Sequence, residues 1–337
     1  MSEKILNKDK WSDFVSNVAS SKQVWTMTGD DTVTFTPCAE AEEAPGKVLN
    51  ATVPPKNVVF PQTETLFRFM FGQLETELPE EAQESVVLGL RPCDARAMNI
   101  VDDLFSWDEE DTYYQDKRQK TTLVGLACNE PGINCFCTSL EGSPASTEGL
   151  DVIMADLGEK YYLQAITDKG DKLLADVSGQ LEDASDNDKK AFQELAEAAE
   201  GKIKRGIDAS GIPEGLPNLW EHELWQKVSE ACLGCGACTY LCPTCHCFDI
   251  QDELEGFKGR RCRMWDSCMY GEYTLHASGH NPRPTRRERT RNRINHKYNY
   301  YVEKFDKIAC VGCGRCINQC PVNIDILNIL SKVKEAL

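Results

Sequence analysis

Long apolar runs are missing from this chain of 337 residues. No stretch of eighteen apolar side chains occurs, so no transmembrane helix and no membrane partner are expected. The first residues, MSEKILNKDKW, are polar and charged and lack the apolar core of a signal peptide, which points to the cytoplasm. Positive charge is scarce: 37 Lys and Arg stand against 54 Asp and Glu, a formal net charge of −17. That balance argues against nucleic acid or an anionic membrane as the main partner. It suits a soluble electron carrier and suits plain solubility equally. Nucleotide fingerprints are absent too. Neither G-x-G-x-x-G nor G-x-x-x-x-G-K-[ST] appears, so no bound nucleotide is expected.

What the chain has in excess is cysteine, with 17 residues. In a reducing compartment so many thiols point to metal or cluster ligation before disulfides, and the odd count fits pairing poorly. Hydrophobic residues make up 41%, enough for a sizeable core.

The pattern along the chain suggests an α+β protein. An N-terminal α/β-type domain is followed by a mainly helical two-cluster ferredoxin domain. Residues 1–55 read as an irregular region with one helix near Trp11 to Val18, and 39–47 as a solvated loop. The segment 58–71 reads as a Pro stop and an apolar helical run. SVVLGL (85–90) and TTLVGL (121–126) read as buried strands, with a helix through ARAMNIVDDLF that Asp94 caps. Residues 151–167 read as a hairpin and 187–204 as a polar helix. The expected units are therefore 1–55, 56–210 and 211–337, with a linker at GIPEGLPN.

One motif occurs twice. Cys232-x2-Cys235-x2-Cys238-x3-Cys242-Pro243 recurs as Cys310-x2-Cys313-x2-Cys316-x3-Cys320-Pro321. This is the spacing of two-cluster ferredoxins, in which the fourth cysteine of each run serves the other cluster. One [4Fe-4S] cluster is thus assigned to Cys232, Cys235, Cys238 and Cys320. The second is assigned to Cys310, Cys313, Cys316 and Cys242. Structural zinc would use fewer cysteines at such spacing. In the N-terminal half, Cys93, Cys128, Cys135 and Cys137 follow the two buried strands. Neighbouring strand ends lie about 5 Å apart, so these four thiols fit a third cluster; buried apolar cysteines are the alternative.

The combination of FPQTETLFRF, LRPCDARAM, CNEPGINCFC, CPTCHCFD, WDSCM and CVGCGRC…CP resembles the beta subunits of cytoplasmic sulfhydrogenases. It is also similar to the A subunit of anaerobic sulfite reductase. The resemblance runs from about residue 56 to 325. It implies an iron–sulfur electron-transfer subunit of a hetero-oligomeric oxidoreductase. Such a subunit relays electrons between a flavin subunit that handles NAD(P)H and a catalytic subunit of hydrogenase or sulfur/sulfite reductase type. The chain alone is then not expected to turn over a substrate.

Several residues fall outside this scheme. Cys245, Cys247 and Cys268 belong to the resembling motifs, whereas Cys262 does not. Three readings stay open for them: packing beside a cluster, a further metal or cluster site, and a thiol site that itself reduces sulfur or polysulfide. Arg260, Arg261 and Arg263 lie near in sequence and would activate a thiolate. Cys38 reads as a bystander, and His276 and His280 as loop histidines or ligands. The basic run PRPTRRERTRNRINHK (282–297) reads either as a helix paired with acidic faces of the same chain or as a docking surface through residues such as Arg289 and Arg293.

Overall fold

The computed structural model describes residues 1–38, 45–46, 48–73 and 76–337. Most of the expected loop at 39–47 lies outside the described residues. An eight-stranded sheet forms the first half. Its strands are β1 (Glu3–Asn7), β2 (Gln23–Thr28), β3 (Thr34–Pro37), β6 (Ser85–Leu90), β7 (Thr121–Leu126), β8 (Val152–Asp156), β9 (Lys160–Ala165) and β10 (Glu182–Asp183), in spatial order β10-β1-β9-β8-β7-β6-β2-β3. Four central strands, β2, β6, β7 and β8, run parallel, and the flanking pairs are antiparallel. Every residue of β6 and β7 is buried, as continuous apolar strands covered on both faces require. One face packs Leu6, Val86, Leu88, Val124 and Met154 against Trp11, Phe14 and Val15 of the first helix and Leu173 and Leu174 of a later one. The other face packs Val87, Leu123, Ile153 and Tyr162 against Ala95 and Met98.

The N-terminal segment departs from expectation. Beyond its helix (Trp11–Ala19) it supplies three strands to this sheet, because β1 and β2 pair at long range with β9 and β6 rather than locally. The 58–71 segment is also corrected. A short helix (Lys56–Val59) stops at the Phe60-Pro61 junction, and 63–70 is a strand. Pro disfavours helix for the residue before it, and TETLFRFM alternates well enough to pair.

The C-terminal half is less helical than expected. Strands β11 (Phe248–Glu255) and β12 (Lys258–Trp265) form a hairpin, and β12 pairs with β4 (Thr63–Met70), which pairs with β5 (Thr76–Glu77). This second sheet joins chain from both sides of residue 210. The rest of the half is short helices around Leu216, Trp225, Ile294, Tyr298, Ile326 and Leu330, with Phe136 and Leu140 of the first half in the same core. Among the described residues no helix is long and apolar enough to cross a membrane.

A buried charge group ties the second sheet to the first half. Arg263, 3% exposed, pairs with Glu64 at 2.5 Å and with Asp111, and Lys117 also pairs with Glu64. Asp111 caps the helix Thr112–Lys120. Removing one member of such a group strands the opposite charge, at a cost of about 3–5 kcal/mol. Arg263→Ala should therefore lower thermal stability by that amount, read by denaturant or thermal unfolding. Arg261→Ala on the exposed face, paired to Asp252 in solvent, should cost about 1 kcal/mol or less.

Candidate iron–sulfur centres

The parallel neighbours β6 and β7 end side by side, with Leu90 opposite Gly125. Both chains then turn into loops that carry thiols. Cys93 lies in the first turn of the helix Pro92–Phe105, and Cys128 lies two residues past β7. The loop after Cys128 folds back, with Cys135 N donating to Gly132 O at 2.9 Å, and Cys137 opens a 3-10 turn. Cys93, Cys128, Cys135 and Cys137 line one small cavity, and Cys313 completes its wall. Arg91 braces the cradle by donating to Leu126 O at 3.2 Å, Ala127 O at 3.0 Å and Val48 O at 2.8 Å.

The two ferredoxin-type loops have matching backbones. Each runs through two left-handed glycines into a short helix, Ala237–Tyr240 or Arg315–Asn318, and the fourth cysteine falls in the turn just after that helix rather than at the start of the next. Cys232, Cys235, Cys238 and Cys320 line one cavity, and Cys316 lines it as well. Backbone amides point at sulfur there. Gly234 N donates to Cys232 Sγ at 3.4 Å and Ile324 N to Cys320 Sγ at 3.1 Å. The remaining set also gathers: Cys316 feels the charge of Cys310, Cys242 and Cys313.

The cavity of the first set fits a sulfur-rich group. Thr290 and Arg293 line it, and their Oγ1 and Nε atoms are buried without a hydrogen-bond partner. Buried donors are seldom left unpaired, and cluster sulfides would accept from both. Among the described residues no three His, Cys, Asp or Glu side chains converge as ligands of a single metal ion.

The two halves meet at the thiols. Arg315, inside the second motif, makes a bidentate pair with Asp94 of LRPCDARAM at 2.7 and 2.9 Å, with both side chains at most 2% exposed. Arg315 Nε also donates to Ala51 O at 2.7 Å. Asp94 therefore does not cap its helix as expected; its carboxylate crosses to Arg315. Phe136 N donates to Gly312 O at 2.9 Å. A Cβ at Gly312 would stand 2.6 Å from Cys137 N, so the close approach requires glycine.

Cys245, Cys247 and Cys268 do come together. A hydrogen bond from Cys268 holds the Cys247 thiol down, to about 6. Cys245 hydrogen-bonds Cys242 and is itself raised by that contact and by burial. The buried Lys56 ammonium faces Cys245, Cys242 and Cys247, donates to Cys245 O at 2.7 Å and lies 4.1 Å from the Trp265 ring; burial lowers it to about 8. Cys262 is elsewhere, fully buried on β12 opposite Gln251. Cys38 is partly buried against the sheet core. His276 and His280 are exposed and close a loop through His276 N and His280 O at 2.9 Å. Arg260 and Arg261 pair with Glu253 and Asp252 and Arg263 with Glu64, and the thiol whose charge bears on Arg260 is Cys262, outside the Cys245, Cys247 and Cys268 group.

Of the two readings of the basic run, pairing within the chain is the one its contacts support. Helix Arg286–Asn295 buries Arg291 and Arg293. Arg287 and Arg291 pair with Glu221, and Arg291 stacks 3.8 Å over Trp220. Arg293 points inward and donates to Cys238 O at 3.3 Å. Sequence reasoning missed Lys56, Lys297 and the Asp94–Arg315 pair. A signal existed for the pair, since both residues are charges inside the cysteine motifs themselves.

Burial is the first cause of the high thiol values. It raises Cys128 and Cys313 to about 11 and Cys137 and Cys316 to about 12. These groups keep protons that an unfolded chain loses above pH 9. The cluster-free protein should therefore lose stability as pH rises from 9 toward 11, and not between 7 and 8.5. Lys56 and Lys169, lowered by burial, work the other way in this window, and the lowered Cys242 and Cys247 thiols act below pH 9, but burial also raises Cys93, Cys135 and Cys238, so the raised thiols outnumber the two lysines. Melting temperature of the iron-free protein across this range checks the sign; a rise above pH 9 would contradict it.

Residues 231–324 match the family described as 4Fe-4S dicluster domain. The chain is 32% identical over 289 residues to sulfhydrogenase 2 subunit beta of Pyrococcus furiosus, covering 85% of this chain and 84% of that protein. No solved structure gives a significant match. With the paired cysteine loops in place, that identity over most of both chains places this protein in the family of sulfhydrogenase beta subunits.

Proposed function

We propose that the chain is an iron–sulfur relay with three [4Fe-4S] centres in a row. The first is held by Cys232, Cys235, Cys238 and Cys320, the second by Cys242, Cys310, Cys313 and Cys316, the third by Cys93, Cys128, Cys135 and Cys137. One observation carries the order. Cys316 of the middle set stands in the wall of the first cavity, and Cys313 of the same set stands in the wall of the third. Each centre would supply one-electron storage. The protein's part is to hold adjacent sets at fixed spacing, exclude water and aim amide donors at sulfur.

In this reading residues 56–210, joined in one sheet by the three strands of 1–55, form the unit of the third centre, and 211–337 form the ferredoxin unit. The partners are a flavin subunit that handles NAD(P)H and a catalytic subunit of hydrogenase or sulfur/sulfite reductase type, in the cytoplasm. Support for a multi-subunit setting comes from the relative, which is a subunit of a sulfhydrogenase.

A second reading has its own support in the gathering of Cys245, Cys247 and Cys268 beside Lys56. It makes this a thiol site that reduces sulfur or polysulfide. Turnover of polysulfide by the isolated chain with a chemical reductant, abolished in Cys268→Ser, would favour it over the pure relay.

Iron and acid-labile sulfide analysis tests the relay. The protein should hold about twelve irons, and Cys128→Ser about eight. About eight in the parent protein, unchanged by Cys128→Ser, would remove the third centre.

A further inference from the structure

The two ferredoxin-type runs share their cysteine spacing, their two left-handed glycines and their backbone course, yet their fourth cysteines sit in different electrostatic surroundings. Cys320 Sγ accepts from a neutral donor, Ile324 N at 3.1 Å. Cys242 Sγ instead faces the Lys297 ammonium at 3.3 Å and Thr244 Oγ1 at 3.1 Å. The difference begins in the residues that follow: Cys242-Pro-Thr against Cys320-Pro-Val. Thr244 bridges Lys297 Nζ at 2.9 Å and Ala309 O at 2.8 Å, a role Val322 has no hydroxyl to fill.

Lys297 is buried, 3% exposed, and among the described residues it pairs with no carboxylate. Its Nζ also donates to Ala309 O at 2.9 Å, and Ala309 N returns a bond to Lys297 O at 2.9 Å. The residue is carried by a π-helical turn, His296–Tyr300, between helices Arg286–Asn295 and Tyr301–Phe305. Such turns are uncommon and gather at functional positions. Its three polar neighbours, Cys242 Sγ, Thr244 Oγ1 and Ala309 O, can all accept, which matches the three donors of an ammonium. Arg293 is different. It lies near Cys238 of one set and Cys316 and Cys242 of the other, so its charge acts on both.

We infer that Lys297 is a positioning residue that raises the reduction potential of the centre held by Cys242, Cys310, Cys313 and Cys316 above that of its twin. The inference rests on the assignment of that centre in the relay. An added electron makes the centre more negative, and a fixed cation 3.3 Å from a ligand sulfur stabilises that state more than the oxidised one. Charge-assisted donors to ligand sulfur are a recognised means of tuning such centres. The consequence is a downhill step from the first centre to the second.

The test is an EPR-monitored redox titration of the intact protein and of Lys297→Met and Lys297→Arg, with iron counted in each. The expected result is that Lys297→Met keeps its iron and one midpoint potential falls by at least a tenfold change in equilibrium, 59 mV for one electron. The other ferredoxin potential stays, and Lys297→Arg restores most of the fall. Loss of iron in Lys297→Met with full iron in Lys297→Arg also supports the charge. Full iron with unchanged potentials in Lys297→Met overturns it, as does equal iron loss in both variants. A wrong iron count in the parent protein would instead fault the relay.

Discussion

The arrangement of thiols depends on one buried ion pair, Asp94 with Arg315. Each residue sits inside a cysteine motif, Asp94 in the first turn of the helix that follows a parallel strand and Arg315 at the start of the short helix in a ferredoxin-type run. A bidentate pair with almost no exposure is worth little as net stability, because desolvation offsets attraction. Its worth is in geometry. Neither charge tolerates losing the other, so the strand-end loop and the ferredoxin loop must dock in a single register. Gly312 then allows backbone contact with Phe136 and Cys137 that any side chain would block.

Charge is distributed against the overall balance. The surface is acidic, while Lys56, Arg293, Lys297 and Arg315 are buried around the cysteines. Lys56, Arg293 and Lys297 have no carboxylate partner among the described residues; Lys297 donates to Cys242 Sγ, and Lys56 and Arg293 donate to the carbonyls of Cys245 and Cys238. Buried cations of this kind are tolerable where negative charge accumulates, as it does on thiolate-bound iron and sulfide. The same buried cations therefore both fit such centres and bias them.

Much of this was legible in the sequence, because the spacing of the two cysteine runs is a local property. The buried strands before Cys93 and Cys128 were equally legible as continuous apolar runs. What the sequence hid depends on distant pairing. Residues 3–7 and 23–28 look unremarkable until β9 and β6 are beside them. The strand at 63–70 gains its partner from 258–265. The basic run looked like surface because its arginines are close in sequence to few acids, whereas Glu221 and the cysteine pocket reach it through the fold.

The central claim is that the N-terminal thiols and the ferredoxin-type loops hold adjacent, communicating centres. EPR of the fully reduced protein measures this most directly. The account predicts spectra broadened by spin interaction among the centres, with one component of that interaction lost in Cys128→Ser while the ferredoxin signals remain. A spectrum that is the plain sum of isolated centres, unchanged in line shape by Cys128→Ser, would contradict it.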